Sequence, residues 1–147
     1  MTTSELSLLD TNILIYAADE NSPHHQASMA LREKGLRGEI SLCICPQILN
    51  EFFAIVTDQR RANNPRTQSE ALLEIEKYFH SQNIFKIYPG PDIIEKTIEL
   101  LRRYEISRQK IFDLQLVATM FSNNVKHLYT YNQGDFSQFN EVEVLTP

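Results

Sequence analysis

Short apolar runs of strand length alternate along this chain with segments whose apolar residues recur at helical spacing. No other feature restricts the fold as much. Leu6–Leu9, Ile40–Cys45, Ile84–Tyr88, His127–Tyr131 and Val142–Leu145 read as strands. Between them, Ser22-Pro23 reads as a cap followed by Pro at the first helical position, with Gly35 ending that segment. Pro46 opens a helix through Glu51 to about Thr57. Ala71, Leu72, Ile75, Tyr78 and Phe79 share one helical stripe. Pro91 starts a helix predicted to turn Ile94, Ile98, Leu101 and Tyr104 inward, and Asp113 to Phe121 is the last long helix. Strands alternating with helices predict an α/β fold, a three-layer α/β/α sandwich around a mostly parallel sheet. Such sheets place their sites beyond the C-terminal ends of the strands.

The bulk properties set bounds. At 147 residues and 42% hydrophobic content, the chain suits one domain over 1–147 with a core of its own. No apolar stretch approaches the ~20 residues of a membrane helix. Met1-Thr2-Thr3-Ser4-Glu5 has neither the basic start nor the apolar core of a signal peptide, so a soluble cytoplasmic protein is expected. Cys43 and Cys45 alternate with Leu42 and Ile44 and would point to opposite faces of a strand. With no second Cys or His pair at ligand spacing, they read as buried small hydrophobes. A net charge of −5 argues against bulk attraction to nucleic acid, though carboxylates can recruit cations that hold phosphate instead.

Four acids carry the chemistry. Asp10 ends the first strand, Glu51 lies about one turn inside the helix opened by Pro46, Asp113 stands at a helix start, and Asp135 lies in the loop after the fourth strand. Each has an ordinary reading: a helix cap for Asp10, a dipole partner for Asp113, a solvated helix residue for Glu51, a turn residue for Asp135. Against this, Asp10, Glu51 and Asp113 sit among apolar neighbours, and no Lys or Arg immediately flanks any of the four. A carboxylate in apolar walls is costly unless paired or bound to a cation. On this reading Asp10, Glu51 and Asp113 hold magnesium, Asp135 completes the set, and the bound cation assists in-line attack on a backbone phosphate. Thr11 and Asn12 read either as caps or as groups orienting Asp10, and Asn132 as the same for Asp135.

The stretch Leu8-Leu9-Asp10-Thr11-Asn12-Ile13-Leu14-Ile15-Tyr16-Ala17 resembles the opening motif of PIN-domain ribonucleases, in particular the VapC-type toxins of toxin–antitoxin pairs. Pro46–Phe52 looks like their second motif, Ile111–Met120 their third and Tyr129–Phe136 their fourth, in the family's order and over nearly the whole chain. Where the family often has an acid, this chain has Asn132, leaving Asp135 as the only carboxylate of the fourth motif. The resemblance implies a PIN fold, magnesium- or manganese-dependent RNA cleavage, a homodimer and inhibition by a cognate antitoxin.

Other features weigh less. His24 and His25 read as a surface pair on a first helical turn, far in sequence from the acids, and His80 and His127 belong to no constellation. Arg108 and Lys110 precede Asp113 closely and are candidates for steering RNA, beside clusters at Arg60-Arg61 and Arg102-Arg103. Two rivals remain: a phosphatase with Asp10 as aspartyl nucleophile, weakened by Asn12 where a second acid is usual, and a non-catalytic RNA-binding PIN domain.

Overall fold

The computed structural model describes residues 5–147. Residues 1–4, on which the N-terminal reading partly rests, lie outside the described residues. The element order is β1 (Ser7–Leu9), α1 (Thr11–Ala18), α2 (His25–Leu36), β2 (Leu42–Ile44), α3 (Pro46–Val56), α4 (Gln68–His80), β3 (Ile84–Lys86), α5 (Ile93–Arg103), α6 (Lys110–Ser122), β4 (His127–Tyr129), α7 (Gln133–Phe136) and β5 (Glu143–Leu145). The strands pair in the order β3-β2-β1-β4-β5, all parallel. The chain grows outward from β1 to β2 and β3, then crosses back to add β4 and β5 on the other side. Right-handed crossovers put α1 to α4 on one face and α5 and α6 on the other, the expected α/β/α layering. The direction reverses between β1 and β4, which opens the crevice where such sheets bind ligands.

β1 is central and wholly buried, with Leu8 and Leu9 fully shielded. Cys43 and Cys45 are buried free thiols, and burial pushes them up to about 12 and about 11, so they stay protonated and inert. Among the described residues no helix is long and apolar enough to cross a membrane.

Several boundaries differ from expectation for physical reasons. The strands are three residues each, shorter than their apolar runs. An eight-residue helix, α1, absent from the helices read from the sequence, follows Asp10 directly. Ser22 caps a turn rather than α2: its Oγ accepts from His24 N at 3.1 Å, and the helix starts at His25. Gly35 lies inside α2 instead of ending it; the left-handed residue beyond the helix is Gly38, at φ 76°. Gly35 is needed for close approach, since a Cβ there would meet Leu42 Cδ1 of β2 at 2.5 Å. The α4 stripe is only partly inward: Ala71 and Tyr78 are buried, whereas Leu72 and Phe79 are exposed. On α5 the reading inverts. Leu100 is buried, while Ile94 is 74% exposed and Ile98 and Leu101 face solvent. Periodicity shows that a face exists, not which layer it meets.

The contact at Gly35 yields a stability prediction. Gly35→Val should lower unfolding free energy by ~1–3 kcal/mol, the usual cost of overpacking a filled core. Urea unfolding at pH 7 measures it, and unchanged stability would mean that α2 does not press on β2 as described.

Candidate functional site

Asp10 leaves β1 at the reversal point, its backbone N–H donating to Tyr129 O of β4 at 3.0 Å. It is the N-cap of α1, and Oδ1 accepts from Thr11 N at 2.8 Å. So the capping reading is correct, but it leaves the other oxygen turned to different donors. Oδ2 accepts from the Thr130 hydroxyl at 2.7 Å and from Asn12 Nδ2 at 3.3 Å. Asn12 also donates to Thr130 Oγ1 at 3.0 Å and accepts from Tyr131 N at 3.2 Å. Among the described residues, Asp10 is thus buried and held by neutral donors alone.

Burial pushes the Asp10 carboxyl up to about 6. The hydrogen bonds from Thr130 and Thr11 oppose that rise, and the like charges of Glu51 and Asp113 add to it. The shift places Glu51 and Asp113 within electrostatic reach of Asp10, although they come from α3 and α6. Glu51 Oε2 accepts from the Thr11 hydroxyl at 2.9 Å and Oε1 from Gln47 Nε2 at 3.0 Å. Gln47 also donates to Phe112 O at 2.9 Å, which ties α3 to α6 beside Asp113.

The other half of the site is arranged differently. α6 begins at Lys110, one turn before the expected start, so Asp113 lies within its first turn. Asp135 lies on the short helix α7 rather than in an open loop. Lys110 Nζ stands 3.5 Å from Asp113 Oδ2 and 4.0 Å from Asp135 Oδ1, and donates to Asp135 O. No Lys or Arg immediately flanks the acids in sequence, but Lys110 supplies a basic partner to Asp113 and Asp135. Three residues apart in sequence, Lys110 and Asp113 meet only because the helix includes both. Burial raises Asp113; Lys110 lowers it, and Asp135 and Glu51 raise it further.

All four acids therefore come to one edge of the sheet, graded from buried Asp10 to exposed Asp135. Thr11 donates to Asp10 and Glu51, and Asn12 to Asp10. Asn132, read as orienting Asp135, meets it through the backbone, its carbonyl accepting from Asp135 N at 3.1 Å, while its N–H donates to Thr130 Oγ1 at 2.9 Å. Arg108 is exposed, with a positive φ of 50°. Sequence reading missed Thr130 and Gln47. Gln47 carries a signal, four residues before Glu51 on one helix; Thr130 does not, since its partner is 120 residues away.

Among the described residues, no three His, Cys, Asp or Glu side chains stand close enough to enclose an ion as they are. The donor set nevertheless fits a hard divalent cation: carboxylate oxygens, one of them destabilised by burial, with Gln47 Oε1 buried and unpartnered beside Glu51. Magnesium needs only one or two direct carboxylates and keeps several waters.

Comparison with known proteins agrees with this architecture. The family model described as PIN domain matches residues 7–142. Ribonuclease VapC24 of Mycobacterium tuberculosis is 24% identical over 139 residues, covering 95% of this chain and 94% of the relative. Among solved structures, Mycobacterium tuberculosis VapC20, a Sarcin-Ricin loop cleaving toxin, superposes with a TM-score of 0.65 at 13% identity, covering 91% of this chain and 95% of that one. VapBC2 from Rickettsia felis, bound to a DNA fragment from its promoter, gives 0.64 at 15% identity, covering 96% and 98%.

The carboxyl of Asp10 sets a pH dependence. Its folded pKa lies above its unfolded value. The metal-free native protein thus holds the proton more tightly than the unfolded chain, and loses stability as pH rises from about 4 to about 6. In chelator, the Asp10→Asn protein should gain on the wild type by ~1–3 kcal/mol between pH 4 and pH 7. Denaturant unfolding across that range checks it; a pH-independent difference would show that Asp10 is not destabilised by burial.

Proposed function

The chain belongs to the PIN-domain family, and from that premise we propose that it is a metal-dependent endoribonuclease, the toxin of a VapBC-type pair, acting in the cytoplasm as a single nuclease domain. One observation carries the reading: Asp10 is buried at the sheet's reversal point beside Glu51 and Asp113, without a cation of its own among the described residues.

Asp10, Glu51 and Asp113 would hold a magnesium or manganese ion, with Asp135 completing the set. When bound, the ion neutralises these charges, lowers the pKa of a water towards neutrality and stabilises charge developing on the phosphate. The chain's own residues do the positioning. Thr130, Asn12 and the Thr11 amide fix both oxygens of Asp10, and the Thr11 hydroxyl and Gln47 fix those of Glu51. Such outer partners keep ligands oriented and are typically worth 10- to 100-fold in metal affinity or activity. Lys110 spans Asp113 and Asp135 and, with exposed Arg108, offers positive charge to an RNA phosphate at the mouth. The aspartyl-phosphatase rival has less support, because both oxygens of Asp10 are engaged and the position two residues on is a donor, Asn12.

Partners follow from the same reading. The relatives that resemble this fold include toxin–antitoxin complexes, which supports a cognate antitoxin covering the acidic cleft. The solvent-facing stripe of Ile94, Ile98 and Leu101 on α5 supports a homodimer. Light scattering on the purified protein, alone and co-expressed with the product of an adjacent small open reading frame, should give a dimer and a larger complex. A monomer and no complex would remove both partners.

Activity gives the direct test. Asp10→Asn should lower RNA cleavage by about 10²-fold or more, and Thr130→Val by about 10- to 100-fold, both at unchanged fold. Chelator should abolish wild-type cleavage, and manganese should restore it. A chelator-insensitive activity, equal in wild type and Asp10→Asn, would refute the nuclease assignment.

A further inference from the structure

We propose that Tyr16, His24 and Tyr131 form a stacking subsite for a nucleobase of the RNA strand beside the carboxylate cleft; the inference rests on the nuclease reading and adds to it. The sequence sets His24 apart from every acid motif, but the fold does not. Its ring stacks on Tyr131, with centroids 4.1 Å apart and planes at 27°. Tyr16 closes the group, 5.4 Å from Tyr131 at 68° and 5.0 Å from His24 at 47°. The cluster joins the end of α1, the turn before α2 and the segment after β4.

Its position relative to the acids is fixed. Tyr131 follows Thr130, which donates to Asp10, and the Tyr131 N–H donates to Asn12, which also donates to Asp10. The rings are therefore carried by the same net that orients the buried carboxylate. Tyr16 is held further by His25 Nδ1, 2.9 Å from its carbonyl oxygen. All three rings are half-buried, so each is anchored and keeps part of its surface open. Tyr16 also lines a cavity of about 580 Å³ whose wall carries Arg61 and Arg66.

The chemistry of the rings selects the ligand. None of the three is an Arg or Lys, and tyrosine faces attract flat π-systems, not phosphate. Stacking platforms beside a cationic track are how proteins hold single-stranded nucleic acid, and each base so stacked contributes a measurable share of affinity. Here the cavity wall beside Tyr16 sets Arg61 and Arg66 among the acids Asp19, Glu20 and Glu74, and the bond to be cut would lie over Asp10. The platform therefore positions the strand by one base and takes no part in the chemical step.

The test uses the full-length protein and a short single-stranded RNA containing 2-aminopurine, with calcium replacing magnesium for binding and magnesium present for turnover. Tyr131→Leu should raise Kd and KM by about 5- to 100-fold, abolish 2-aminopurine quenching and leave kcat within about 3-fold. Tyr131→Phe, which keeps the ring, should behave as wild type. His24→Leu should give a smaller rise in Kd, with unfolding midpoints of all three variants checked against wild type. If Tyr131→Leu is unstable, His24→Leu alone decides the matter. Normal binding and quenching in a folded Tyr131→Leu or His24→Leu protein would overturn the platform while leaving the nuclease reading intact. Loss in Tyr131→Phe would overturn stacking in favour of a hydroxyl contact. A wild type that neither binds nor cuts any RNA would instead overturn the nuclease reading beneath it.

Discussion

A carboxylate buried where a parallel sheet reverses direction is an unfavourable thing to build, and the cost at Asp10 organises the rest of the site. A carboxyl raised from 3.8 to about 6 represents about 3 kcal/mol of penalty on its charged form. Three neutral donors offset part of the desolvation, and the nearby negative charges of Glu51 and Asp113 add to the burden. Structural economy alone does not explain an acid here, because Ser or Asn would cap α1 as well without a charge. On the proposed reading, an acid that works ionised and is stabilised by a bound cation does.

The parallel topology makes the convergence possible. β1 and β4 are adjacent in space although far apart in sequence, so the residues that follow them share one crevice. Asp10 and Thr130 come from these two strand ends, and α3 and α6 bring Glu51 and Asp113 across from opposite layers. The site is asymmetric. Neutral side chains hold Asp10 and Glu51 on the buried side, whereas Lys110 meets Asp113 and Asp135 on the open side. On the proposed reading, the open side carries charge that an incoming phosphate would reorganise.

The fold class was legible in the sequence because apolar periodicity is a local signal, and so was the place of Asp10 at a strand end. What depended on the third dimension was not. Lys110 lies three residues before Asp113, but that spacing matters only once the helix is known to begin there. On α5, Ile94, Ile98 and Leu101 form as good a stripe as the one around Leu100, and only the sheet decides which is buried. Thr130 and the pairing of His24 with Tyr131 are contacts between distant segments that no single stretch of sequence encodes.

The claim that the buried carboxylates are kept for a divalent cation is tested most directly by diffraction from a crystal soaked in manganese. The account predicts an anomalous peak between Asp10, Glu51 and Asp113, with Thr130 and Asn12 still bonded to Asp10. No peak, with the carboxylates unchanged and Lys110 still on Asp113, would contradict it.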